Sequence, residues 1–197
     1  MFIELTDHLR CPAEHEEAYL VLLPDAVVSR SVRAGSLGCP VCGRTFAIAD
    51  GIAELGAPPR PPRADEAAPL PAEAVQVLLG LQGPGGYAVL VGRAAEGWEE
   101  LVRLAPGVAF VAVNPPGAIG DQGPALSVLR AARLPLKSRS MRGVVLGPEY
   151  AGAARWQQEA ARITLPGLRI VGQGPPPAVD GLELLATAAG AWVAARR

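Results

Sequence analysis

Four side chains constrain this sequence more than anything else in it: Cys11, His15, Cys39 and Cys42. In Cys39-Pro40-Val41-Cys42-Gly43 two thiols stand three residues apart, and the glycine accepts the tight backbone that turns both toward one point. Cys11-Pro12-Ala13-Glu14-His15 adds a third thiol and an imidazole four residues on. A Cys3His set is a donor set for tetrahedral zinc. Three thiolates and a neutral imidazole close such a site at a net charge of about −1, which points to a structural ion. His8, three residues before Cys11, is the rival for the fourth place.

The distribution of these residue types divides the chain. Residues 1–55 hold all three cysteines and both histidines, and 73–197 hold none. Residues 56–71 read as a proline-rich linker, with Pro58, Pro59, Pro61, Pro62, Pro69 and Pro71 beside Arg60, Arg63, Asp65 and Glu66. The expected organisation is a small metal-stapled module at 1–55, the linker, and a larger unit at 72–197. A module that small buries little surface, so the metal would supply much of its folding energy.

With 18 Lys and Arg against 19 Asp and Glu the net charge is −1, so no general attraction to nucleic acid or an anionic membrane is expected. RNA is therefore not indicated beyond a local patch. Apolar runs such as Tyr87–Val91 are too short to cross a bilayer. Met1-Phe2-Ile3-Glu4-Leu5-Thr6-Asp7 is short and acidic, unlike a signal peptide, and a cytoplasmic location is expected. In that compartment a metal site is favoured over a disulfide.

Phe2, Leu5 and Leu9 recur at helical spacing and predict a short helix over 2–10. Tyr19–Leu23, Val27–Arg33 and a run into Cys39 predict three small strands, with a turn at Ala34-Gly35-Ser36. From Ala72 the pattern alternates. Val75, Leu78, Leu79 and Gln82 predict a helix stopped at Gly83-Pro84-Gly85-Gly86, and Tyr87–Gly92 a buried strand. A helix carrying Trp98, Leu101, Val102 and Ala105 follows, then strands at Val108–Val113, Ala125–Leu129 and Gly143–Leu146. Tyr150–Ile163 predicts a helix; Leu168–Val171, Leu182–Thr187 and Trp192–Ala195 complete the strands, the last two able to pair as an antiparallel edge hairpin. The fold class is α/β: a doubly wound, mostly parallel sheet of seven strands preceded by a zinc ribbon.

Two family resemblances sharpen this. Leu5…Leu9-Arg10-Cys11-Pro12, with Cys39-Pro40-Val41-Cys42-Gly43-Arg44-Thr45-Phe46-Ala47-Ile48-Ala49-Asp50-Gly51-Ile52, resembles the zinc-ribbon family that serves as activating subunit of tRNA, rRNA and protein methyltransferases. The resemblance covers 1–55. It departs at the first knuckle, which normally reads C-P-x-C. It implies that the ribbon packs on an apolar surface of a methyltransferase domain, here through Ala47, Ile48, Ile52 and Leu55.

Residues 72–197 resemble the class I S-adenosylmethionine methyltransferase fold in three fragments: Gly85–Gly92, Arg133-Leu134-Pro135-Leu136, and Glu159-Ala160-Ala161-Arg162-Ile163-Thr164-Leu165-Pro166-Gly167-Leu168-Arg169-Ile170. The resemblance implies a glycine-rich loop after the first strand, where this chain has Gly92-Arg93-Ala94-Ala95-Glu96-Gly97. It implies an acidic residue after the second strand for two ribose hydroxyls, where Asn114 stands. Acidic positions after the third strand and before the fourth fall at Arg130 and Arg142. Losing two charge-assisted hydrogen bonds costs roughly 3–6 kcal/mol, or about two to four decades of affinity. S-adenosylmethionine is therefore not expected as a cofactor, Gly92, Asn114 and Arg130 are vestigial positions, and no catalytic residue is assigned.

The function expected is a non-catalytic adaptor that presents its surfaces to a protein partner. One alternative is an active S-adenosylmethionine-dependent methyltransferase with an atypical pocket, acting on RNA. Another is a binding module for an anionic metabolite, served by the basic run Arg130, Arg133, Lys137, Arg139 and Arg142.

Overall fold

The computed structural model describes residues 1–59 and 67–197. The central linker residues Arg60, Pro61, Pro62, Arg63, Asp65 and Glu66 lie outside them. One sheet of eleven strands runs through the described chain, in the order β1-β2-β3-β4-β7-β6-β5-β8-β9-β11-β10. The first four strands are β1 (Val21–Val28), β2 (Ser31–Gly38), β3 (Thr45–Ala49) and β4 (Ile52–Leu55). The other seven are β5 (Tyr87–Val91), β6 (Ala109–Val113), β7 (Leu126–Ala131), β8 (Met141–Leu146), β9 (Thr164–Gln173), β10 (Leu182–Ala188) and β11 (Ala191–Arg196).

Strands β4 to β9 are parallel to one another where they pair, and β10 and β11 form the expected antiparallel hairpin, with β11 inserted against β9. The order around β5 is that of a doubly wound sheet, with its switch point where the chain crosses from β7 back to β8. The architecture is α/β, a doubly wound mixed sheet with helices packed on it. The strand count differs from the expected seven because the N-terminal strands continue the same sheet: β4 pairs in parallel with β7, Ile52 opposite Val128 through Leu55 opposite Ala131.

Why β4 must sit there follows from β7. Leu126, Val128, Leu129 and Ala131 are fully buried, so β7 is apolar on both faces and unsuited to an open edge. The N-terminal strands cover that edge through β4. Ile48, Ala53 and Leu55 carry the packing, while Ala47 points to solvent, because side chains alternate along a strand.

Two cores flank the sheet. Ala88, Leu90, Phe110, Ala112, Leu126 and Val128 face α1 (Ala72–Leu79) and α2 (Trp98–Leu104). Val89, Val91, Val111, Val113, Leu129 and Ala131 face the other way, toward α4 (Ala154–Ile163). Among the described residues no helix connects β6 to β7 or β7 to β8. That space is filled by the N-terminal segment: Leu5 and Leu9 pack there with Leu134 and Leu136. Arg10 N–H donates to the Pro135 carbonyl at 3.0 Å and Lys137 N–H to the His8 carbonyl at 2.8 Å. The Met1 ammonium is buried against Asp121 Oδ1 at 2.7 Å and the Gly51 carbonyl at 2.6 Å.

Several local expectations shift. Residues Ile3–His8 form a 3-10 turn, not an α-helix. The hairpin turns at Ser29 and Arg30, both at positive φ, and β2 runs straight through 34–36. Gly35 is there for close approach: a Cβ would lie 2.5 Å from the Leu23 carbonyl oxygen on β1. The helix expected at Tyr150–Ile163 is split at Gly152 and Ala153 into α3 (Pro148–Ala151) and α4.

Candidate functional site

The two knuckles bring Cys11, His15, Cys39 and Cys42 together, with one ligand atom from each within 4.8 Å of every other. Gly43, at φ 69°, turns the second knuckle so that its N–H reaches back to the Cys39 carbonyl at 3.0 Å. Cys11 Sγ stands 3.7 Å from Cys42 Sγ, and Cys39 Sγ stands 3.5 Å from His15 Nε2. A tetrahedral zinc with Zn–S of about 2.3 Å and Zn–N of about 2.0 Å requires S···S and S···N edges of about 3.8 and 3.5 Å. Two of the six edges match these values, and the group could hold zinc.

His15 Nδ1 lies 2.6 Å from the Glu16 carbonyl oxygen. A carbonyl only accepts, so Nδ1 carries the proton and leaves the Nε2 lone pair toward the thiols. In the metal-free protein burial pushes the Cys11 thiol up to about 11. Burial opposes ionisation of Cys39 as well, but the N–H groups of Cys42 and Val41 outweigh it and bring that thiol down to about 7. His8 is elsewhere: its ring stands edge-on to Tyr87, centroids 5.0 Å apart.

A second site lies at the carboxyl ends of β5, β6 and β8, where a doubly wound sheet places its ligands. It is a crevice of 510 Å³ lined by residues that include Arg93, Asn114, Arg130, Glu149, Tyr150 and Pro58 from the linker flank. The three positions expected to be vestigial, Gly92, Asn114 and Arg130, all border or support it, and each is engaged within the chain. Gly92, at φ 62°, packs against Glu149 so closely that a side chain there would enter the carboxylate. The Arg93 N–H donates to Glu149 Oε1 at 2.6 Å. Asn114 is buried, and its amide exchanges two hydrogen bonds with the backbone of Ala131, each 2.8 Å. The Arg130 guanidinium donates to the Pro115 carbonyl at 3.0 Å.

Glu149 is the residue sequence reasoning missed. It is 8% exposed, and its Oε2 has no partner among the described residues. The available signal was Gly147-Pro148 directly after a buried strand, which starts a helix and so fixes where the next side chain points. Burial also raises the Tyr150 phenol above its ordinary pKa.

The basic run is largely absorbed by the fold. Besides the Arg130 contact, Arg133 stands 3.6 Å from Glu14, and the Lys137 ammonium lies over the Tyr19 ring at 5.1 Å. The Arg142 guanidinium donates to the carbonyls of Gln82, Gly83, Pro84 and Gly85. Those four acceptors belong to the glycine-proline turn before β5, so Arg142 is a clasp on that turn.

Among the described residues no helix is long and apolar enough to cross a membrane. No family model matches the sequence, and no curated protein does. Solved structures do match. A protein of Anabaena variabilis named as a methyltransferase of an antibiotic biosynthesis pathway is 20% identical over 52% of this chain and 43% of its own, with a TM-score of 0.43. This chain thus spans less than half of that protein's length. The antibiotic-resistance methyltransferase Kmr is 12% identical over 68% of this chain and 97% of its own, TM-score 0.45. An Escherichia coli protein, yhhF, named as a methyltransferase, is 10% identical over 78% of this chain and 92% of its own, TM-score 0.48.

Proposed function

We propose that this chain is a zinc-stapled adaptor protein whose methyltransferase-like sheet does not serve S-adenosylmethionine. The observation that carries the reading is the closed Asn114–Ala131 pair. Asn114 gives Oδ1 to the Ala131 N–H and one Nδ2 hydrogen to the Ala131 carbonyl, each at 2.8 Å, so the position serves as a tie between strands and offers no carboxylate to two hydroxyls. Glu149 supports it from the other side, because the loop N–H of Arg93 already has its acceptor. Zinc at Cys11, His15, Cys39 and Cys42 holds the ribbon in shape, and the ribbon closes the β7 edge.

The competing reading is an active methyltransferase with an unusual pocket. The 510 Å³ crevice at the switch point favours it, since that volume suits a small ligand. Isothermal titration of the zinc-loaded protein with S-adenosylmethionine decides between them. The adaptor reading expects no saturable heat up to about 1 mM; a dissociation constant in the low micromolar range would transfer the assignment to the enzyme.

A further inference from the structure

We propose that Cys42 is an oxidation site for peroxide and Cys11 its resolving thiol, so that a reversible Cys11–Cys42 disulfide takes over from the metal as the link between the two knuckles. The proposal rests on the metal-donor part of the reading above and is separate from the question of S-adenosylmethionine.

The three thiols are not equivalent. Cys11 and Cys39 are each 3% exposed, whereas Cys42 is open to solvent. A cleft of 490 Å³ leads to it, lined by residues of both knuckles, His15 and Cys42 among them, with Arg44 and Arg133. A molecule as small as hydrogen peroxide enters such a cleft freely. The thiolate, not the thiol, attacks peroxide, and a metal holds its sulfur ligands as thiolates. Access therefore makes Cys42 the first sulfur to be oxidised.

The second sulfur is set by distance and engagement. Cys11 Sγ stands 3.7 Å from Cys42 Sγ, a contact made across 31 residues of chain. Cys39 Sγ is turned to His15 Nε2 at 3.5 Å and accepts the N–H groups of Val41 and Cys42, while Cys11 accepts one N–H, from Ala13. The Cys42 thiolate attacks one peroxide oxygen, the O–O bond breaks with loss of hydroxide, and a sulfenic acid remains. The Cys11 thiolate then attacks that sulfur, forms the S–S bond and releases a second hydroxide. Two thiolates are oxidised to one disulfide, and one peroxide is reduced to two hydroxides that solvent protons neutralise. Cys39 and His15 remain as two donors, short of the four that a structural zinc takes, and the ion leaves.

Loss of the ion does not free the knuckles. Arg10, next to Cys11, is tied to the Pro135 carbonyl at 3.0 Å, and Cys42 lies in the turn between β2 and β3. The bridge thus joins the segment seated on residues 134–136 to the strands that reach β7 through β4. A covalent link between distant residues restrains the unfolded chain, so the exchange of metal for disulfide keeps the fold.

The test treats the zinc-loaded full chain with about 1 mM hydrogen peroxide, follows metal release with a chromogenic chelator, and reads tryptic peptides by tandem mass spectrometry with the remaining thiol alkylated. Dimedone, a trap for sulfenic acids, is expected to label Cys42 first. Release of about one zinc per chain should rise together with a Cys11–Cys42 peptide pair, and dithiothreitol with added zinc should reverse both. The oxidised protein should melt above the same protein reduced and chelated. A Cys39–Cys42 or Cys11–Cys39 bridge, first trapping at a buried thiol, full zinc occupancy after the bridge has formed, or irreversible oxidation of Cys42 without a bridge would each overturn the proposal. Protein that takes up no zinc would remove the metal alone, and a Cys11–Cys42 bridge mapped in it would still support the assignment of the two thiols.

Discussion

Asn114 and Ala131 hold each other by both hands of one amide: Nδ2 donates to the Ala131 carbonyl, and Oδ1 accepts from the Ala131 N–H, each at 2.8 Å. This ties the residue after β6 to the last residue of β7, and Asn114 reaches the position at φ 53°, which asparagine tolerates better than most residues. Asn114→Asp keeps the acceptor but loses the donor and sets a carboxylate against a buried carbonyl. The expected outcome in urea denaturation is a loss of about 1–3 kcal/mol. Unchanged stability would show that the pair is dispensable and the position open to a ligand.

Zinc should be found at about one ion per chain in protein purified without added metal. His15→Ala is expected to lower occupancy, and His8→Ala to leave it full, because His8 packs on Tyr87 away from the thiols. Chelation of the wild type should lower the melting temperature, since Cys11 and Cys39 share one core with the parallel strands. Elemental analysis of the two variants reads the assignment directly.

Leu55 is fully buried in β4 at the joint with β7, opposite Ala131. Leu55→Ala removes packing at the parallel seam between the N-terminal strands and the rest of the sheet. A loss of about 2–5 kcal/mol is expected. Deleting residues 1–55 should go further and leave 72–197 aggregated or unfolded, because it uncovers an apolar strand edge. Recovery of that fragment as a folded monomer would contradict the role given to the seam.

Arg142 donates to four consecutive carbonyls, from Gln82 to Gly85. Arg142→Ala should destabilise the protein by about 1–3 kcal/mol, and Arg142→Lys should recover only part of it, because an ammonium cannot fan across four acceptors. Thermal unfolding of the two variants distinguishes this clasp from a solvated surface arginine.

His8 predicts a pH dependence. Burial, with a smaller contribution from Lys137, holds its pKa below the ordinary value of about 6.5. The unfolded chain therefore binds this proton more readily than the folded one, so stability falls as the pH drops through about 6.5 and levels below the folded pKa. His8→Gln should remove that part of the slope. Protonation of the zinc ligands is common to both proteins and cancels in the difference. Parallel stability profiles for the two would refute the assignment.

Residue types and spacings alone picked out the four side chains that the fold brings together, because a Cys-x-x-Cys turn and a Cys-x-x-x-His knuckle are local geometries carried by a few backbone angles. Most of the strands β5 to β11 were legible for a similar reason, as short apolar runs bounded by glycine, proline or polar residues, whereas β9 runs from Thr164 through Pro166 and Gly167 and so begins before the expected Leu168–Val171. Three things were not local. The choice of His15 over His8 depended on which histidine the segment paired with 135–137 turns toward the thiols. The joining of the N-terminal strands and the parallel strands into one sheet depended on β7, whose need for a partner strand appears only once β6 occupies its other side. The fate of the polar residues around the crevice was the least legible. Asn114, Arg130 and Arg142 looked like lost ligands because sequence records what a side chain offers. Only the tertiary structure decides which backbone group takes the offer first, since main-chain N–H and carbonyl groups must find partners somewhere.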